Sequence, residues 1–96
     1  MTDEFHHFTR TYLQLEIAYD DMAATRETLQ HCNPKWTASV KEGFKAELEE
    51  RSLTVDEYEG MTDIEFPDKE SLYAYLSDVY AFLFEGGSES PLPHDA

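Results

Sequence analysis

Cysteine, basic residues and long apolar runs are what this chain has least of, and each shortage excludes something. Cys32 is the only cysteine, so no internal disulfide can form and no Cys-x-x-Cys pair can close a structural zinc site. Lys and Arg number 7 against 21 Asp and Glu, a net charge of −14. Such a chain repels nucleic acid, whose affinity comes from bases neutralising phosphates, and repels anionic membranes for the same reason. No apolar stretch approaches the roughly 20 residues of a membrane-spanning helix. The opening Met1-Thr2-Asp3-Glu4 is acidic, where a secretory signal is basic and then apolar. A cytoplasmic protein is the expectation. The four glycines and four prolines leave no room for low complexity, and no glycine-rich phosphate loop is present.

What is present is enough to build a core. The apolar fraction is 41% and the aromatic fraction 14% over 96 residues. That suits one domain and argues against wholesale disorder. A folded chain of 11.1 kDa exposes on the order of 5,600 Å². The net charge then amounts to roughly one uncompensated negative per 400 Å². A surface of that kind attracts cations and basic proteins.

The punctuation divides the chain into helices. Phe5, Phe8, Tyr12 and Leu15 share a helical face and predict a helix over Asp3 to Ala18, although Leu13-Gln14-Leu15-Glu16-Ile17 alternates like a strand. Asp20 or Asp21 caps the next, which carries Met22, Ala23, Ala24 and Leu29 and ends near His31. Asn33-Pro34 opens a third, with Trp36, Val40, Phe44 and Leu48 as its apolar stripe and Gly43 beside it. Thr54-Val55-Asp56-Glu57 has the spacing of a capping box and starts a short helix through about Met61. Asp68 caps the last, whose core row is Leu72, Leu76, Val79 and Leu83, flanked by Tyr75 and Phe82. Tyr73, Tyr80 and Phe84 are left at its margin. The expected fold is all-α: a small antiparallel bundle of four to five helices in one domain over residues 1–85, with a flexible tail over 86–96.

Catalytic constellations are scarce, and the chain is not expected to be an enzyme. His6-His7 and His31-Cys32 are the soft-ligand candidates, but neighbours on a helix point about 100° apart, so no metal site is expected. Cys32 reads as a small buried or half-buried residue, since the acids around it work against a reactive thiolate. Paired carboxylates abound, but glycosidase-type chemistry needs them across a cleft that so small a bundle hardly provides. An EF-hand over Asp56 to Asp68 fails, because Tyr58 and Gly60 stand where oxygen ligands are needed. No cofactor is implied.

Charge placement says more. From Glu47 to Glu65 eight acids meet one base, Arg51, a net of −7 within 19 residues. From Lys35 to Lys45 the sign reverses, with Lys35, Lys41 and Lys45 against Glu42. Within the acidic stretch stand Tyr58, Met61, Ile64 and Phe66. A charge run is ordinarily a solvated face. The functional alternative is a binding surface with Tyr and Met anchors inside an acidic rim, which captures basic partners quickly.

From Tyr12 to Leu83 the order of segments resembles one group of contact-dependent growth inhibition immunity proteins. Tyr12-Leu13-Gln14-Leu15-Glu16 with Asp20-Asp21 takes the place of the aromatic, polar and then acidic segment that ends their first helix. Met22 to Arg51 supplies the helix, the proline turn and the longer helix. Leu53-Thr54-Val55-Asp56-Glu57-Tyr58 resembles their capped acidic helix start. Phe66-Pro67-Asp68 and Ser71-Leu72-Tyr73-Ala74-Tyr75-Leu76 resemble the aromatic-proline entry to their last helix. The chain departs from them in having no His and no Asp-Trp pair between Tyr12 and Asp21.

The resemblance implies a cytoplasmic protein that neutralises the C-terminal toxin domain of a matching secreted effector. Many such toxins are basic nucleases, a ribonuclease before a deoxyribonuclease here. The contacts expected for this role are Asp56, Glu57, Tyr58, Glu59, Asp63 and Glu65, then Asp20 and Asp21. The free protein is expected to be a monomer. The rival readings are an acidic nucleic-acid mimic that inhibits a host-defence nuclease, and a self-associating adaptor using the aromatics of the last helix.

Overall fold

The computed structural model describes residues 3–20 and 22–87, and among them it is all helix and connection, with no strand. Six helices follow one another: α1 (Asp3–Tyr12), α2 (Leu15–Asp20), α3 (Met22–His31), α4 (Pro34–Glu50), α5 (Val55–Thr62) and α6 (Lys69–Phe84). The expected all-α bundle is therefore the fold. The count rises to six because the stretch read as one helix over Asp3 to Ala18 is two.

The break falls at Leu13-Gln14, where the strand-like alternation begins. It changes the phase of the apolar face. Leu13 becomes fully buried, and Leu15, expected on the stripe, is 42% exposed. In α3, Ala23 and Ala24 are exposed, and Thr25 is buried instead beside Met22 and Leu29. The side chain of Asp20 and all of Asp21 lie outside the described residues, as does the predicted cap they would form.

The remaining caps form as the sequence requires. Asn33 accepts the Lys35 backbone N–H at 2.8 Å, with Pro34 in the first turn, where its missing N–H costs nothing. Thr54 and Glu57 make the reciprocal capping box. Asp68 Oδ1 accepts the Ser71 N–H at 2.8 Å, and that bond holds its carboxyl below the ordinary aspartate range. At the far end of α6 the chain turns through Gly86, whose φ is +76°. Gly87 then donates to the Ala81 carbonyl and packs so tightly on Phe82 that a Cβ would come within 3.0 Å of its Cα. Arg26 of α3 donates to the Gly87 carbonyl at 2.8 Å and lies over the Phe82 ring. Gly86 and Gly87, assigned to a tail, are thus part of the folded unit.

The ring contacts give the helix directions. Phe5 meets Phe44 and Phe8 meets Trp36, so α1 runs antiparallel to α4. Phe44 meets Tyr80 and Phe84, while Glu47 meets Tyr73, so α4 runs antiparallel to α6. Val40, Phe44, Leu72, Leu76 and Val79 are fully buried between these helices. Each such side chain contributes about 1.5–3 kcal/mol on leaving water. Trp36 and Leu48, predicted on the α4 stripe, are only half-buried.

Candidate protein-binding surface

The acidic pole is α5 together with the segments that enter and leave it. Its inner side is core. Tyr58 has no exposed surface, Ile64 is 1% exposed and Phe66 3% exposed. The rings of Tyr58, Phe66 and Tyr75 pack in sequence, with centroids 5.8 and 5.4 Å apart. This corrects the reading of Tyr58 as a contact residue, and of Ile64 and Phe66 as surface anchors. For Tyr58 the reason is helical phase. Val55, Tyr58 and Thr62 share one side of a 3.6-residue period, with Glu59 at its edge and Asp56 and Glu57 turned away from it. Met61 is half-buried against the core. The pole is an acidic outer face without aromatic anchors.

Asp56, Glu57, Glu59, Asp63 and Glu65 are all exposed, as are Glu49 and Glu50 at the end of α4. The exposed base among them is Arg51. Two of these acids also serve the backbone. Glu57 Oε1 accepts the Thr54 N–H at 3.0 Å. Asp63 ends α5 in a left-handed conformation with φ of 63°, which short polar side chains tolerate best after glycine. Asp56, Glu59 and Glu65 have no such duty. For Asp20 and Asp21 the structure describes no side chain.

Glu47, counted with the acidic run in the sequence, behaves differently. It is 1% exposed and sits on the core phase of α4, seven residues after Val40. Arg51 caps α4 with φ of 52°, and this left-handed turn folds the following backbone over the Glu47 carboxylate. Glu47 Oε2 then accepts the backbone N–H of Ser52 at 2.7 Å and of Leu53 at 3.1 Å. The Ser52 hydroxyl donates at 2.9 Å to Oε1. The Tyr73 hydroxyl, from α6, donates at 2.6 Å to Oε2. Burial alone pushes the carboxyl up, but these bonds stabilise the anion more, and the net direction is down. The Tyr73 phenol moves the opposite way, pushed well above its ordinary value by burial and by its bond to Glu47. The Arg51 guanidinium lies over the same ring, 4.9 Å from its centroid.

This cluster fixes the α4–α5 connection to α6 and so sets where α5 stands. The sequence reading missed it. It placed Glu47 in the solvated run and Tyr73 at the margin of α6, where Tyr73 is in fact 5% exposed. The available signal was an acid at a core phase of α4 followed closely by Ser.

Elsewhere, His7, His31 and Cys32 are exposed and His6 is half-buried. Cys32 is therefore not the buried or half-buried thiol expected. It borders a shallow hollow of 230 Å³ with Tyr12, Asn33 and Trp36. Among the described residues no group of three or more His, Cys, Asp or Glu could hold a metal ion, and no helix is long and apolar enough to cross a membrane.

No family model, curated protein or solved structure matches this chain.

Proposed function

We propose that this protein is an inhibitor of the immunity type, which binds a basic toxin domain through the acidic pole and blocks it. The observation that carries this reading is the exposed set Asp56, Glu59 and Glu65, joined by Glu57 and Asp63, around an inner side in which Tyr58, Thr62, Ile64 and Phe66 are buried. A fixed array of carboxylates speeds encounter with a cationic surface and pairs with its Lys and Arg. The segment order shared with contact-dependent growth inhibition immunity proteins supports the same assignment, and a nuclease is the partner class whose basic substrate site such an array would cover. Because the pole lacks aromatic anchors, the reading is electrostatic. Association depends strongly on salt, and specificity comes from charge register and from repulsion of wrong partners.

The test is capture by the immobilised protein from its native cells across a salt titration, followed by direct inhibition of the purified catch. A basic nuclease retained at low salt, and inhibited at a one-to-one ratio, is the expected result. The triple variant Asp56→Lys, Glu59→Lys and Glu65→Lys should keep the fold and lose at least about tenfold in association rate at low salt. Full inhibition by that variant would sink the assignment of this face.

A further inference from the structure

A second face differs from the acidic pole in every respect. It is the groove along the antiparallel pair α4 and α6. Towards one end a cleft of 390 Å³ is bordered by Leu48 and Arg51 of α4 and by Glu70, Tyr73, Ala74 and Ser77 of α6. Towards the other a cleft of 450 Å³ is bordered by Lys41, Glu42 and Lys45 of α4, by Tyr80 of α6 and by Glu85, which caps α6. The floor between them is apolar: Leu48, Tyr80 and Phe84 are half-buried, and the two rings rest on Phe44. The rim is small, with Ala38, Ala74 and Ser77 exposed. The α4 wall carries Lys41, Lys45 and Arg51 with one acid, Glu42, and the α6 wall carries Glu70 and Glu85. None of Lys41, Lys45, Glu70 and Glu85 forms an ion pair among the described residues.

We propose that this groove is a self-complementary interface that takes a second copy of this chain. A two-fold axis parallel to the groove lays α4 of one copy over α6 of the other with like ends together. Lys41 and Lys45 then meet the second copy's Glu85, and Arg51 meets the second copy's Glu70. Each contact occurs twice, as an isologous interface requires. The other two-fold axis lying in the face sets α4 on α4 and bases on bases, so charge selects one arrangement. The helices are about 25 Å long and pack about 10 Å apart. The face they offer is roughly 500 Å² in projection, at the low end for a specific interface, so the dimer is weak and concentration-dependent. This departs from the expected free monomer, and the net charge of −14 works against pairing. Half of that charge, −7, lies in the stretch Glu47 to Glu65, whereas the groove is nearly balanced. At physiological salt only charges within about 8 Å act strongly on one another. The proposal is independent of what the acidic pole binds.

The test is sedimentation equilibrium of the full chain at physiological salt from micromolar to millimolar concentration. The apparent mass should rise from 11.1 kDa towards twice that value. Lys41→Glu with Lys45→Glu, and separately Glu70→Lys with Glu85→Lys, should each weaken pairing by at least about tenfold. All four side chains are exposed, and circular dichroism should show the fold unchanged. Mixing the two double variants should pair one of each better than either pairs with itself, because the reversed Lys41 and Lys45 positions then face the reversed Glu85, although one like-charge contact remains at Arg51. A chain that stays monomeric throughout, or variants that pair as well as the parent, would overturn the proposal. So would a mixture no better than its components.

Discussion

Glu47 and Glu59 are the same residue type, twelve positions apart in one acidic run, and they occupy opposite physical regimes. Glu47 is buried and accepts bonds from two backbone amides and two hydroxyls. Glu59 is exposed, and its side chain makes no hydrogen bond or ion pair among the described residues. The first charge is useful only while its partners hold it, and it holds them in return. The second is useful only for what arrives from solution. Net charge counts both equally, which is why it describes neither. The difference teaches that the acidic pole has two layers, an outer array that is free to act and an inner carboxylate that fixes the array in place.

The largest way to break the contrast is Glu47→Ala. It orphans the Ser52 amide and the Tyr73 hydroxyl proton around a new cavity, leaves the Leu53 amide only its bond to the Tyr73 oxygen, and should cost about 3–5 kcal/mol. Glu59→Ala should fall within about 0.5 kcal/mol of the parent. Urea unfolding of both variants checks this, and equal midpoints would dismiss the inner layer. Intermediate hydrogen-exchange protection in α5 alone would show that the loss begins at the connection it anchors.

A gentler version removes the charge and keeps the atoms. Because the folded Glu47 carboxyl sits below its ordinary value of 4.5, its contribution is complete above that value and is lost as pH falls through the folded pKa. The urea midpoint should therefore drop between pH 6 and pH 3, with part of the drop due to Glu47. Glu47→Gln should be less stable than the parent at neutral pH and should show a shallower acid dependence. Parallel pH curves for the two proteins would mean that the anion is not what the connection holds.

Much of the fold was legible because it rests on local rules. Asn33-Pro34, Thr54-x-x-Glu57 and Asp68 cap helices through bonds that span two or three residues, so spacing alone reveals them. The row Leu72, Leu76, Val79 and Leu83 is read from period in the same way. The break at Leu13-Gln14 was visible as an ambiguity of period, but only packing decides that Leu13 turns in and Leu15 out. The site was less legible. Standing among acids, Tyr58 reads as a surface anchor, yet its helical phase with Val55 and Thr62 places it inward. Glu47 and Tyr73 are 26 residues apart, and no local pattern pairs them. Such a bond exists only once α4 and α6 have been brought together by the apolar row between them.

The finest contrast is between two tyrosines in the core. Tyr73 spends its hydroxyl on Glu47, whereas the buried Tyr58 hydroxyl has no hydrogen-bond partner among the described residues. Burial raises the pKa of both phenols, in Tyr58 with a further push from nearby Tyr75. Substitution by phenylalanine separates them, since it removes the hydroxyl and leaves the ring. Tyr73→Phe should cost about 1.5–3 kcal/mol, the range for a hydrogen bond to a charged group. Tyr58→Phe should cost nothing and stabilise by up to about 1 kcal/mol, because it deletes a polar group that burial only penalises. Thermal midpoints of the two variants, measured side by side, decide it. A Tyr58→Phe protein as destabilised as Tyr73→Phe would mean that the Tyr58 hydroxyl is held as firmly as the one on Glu47.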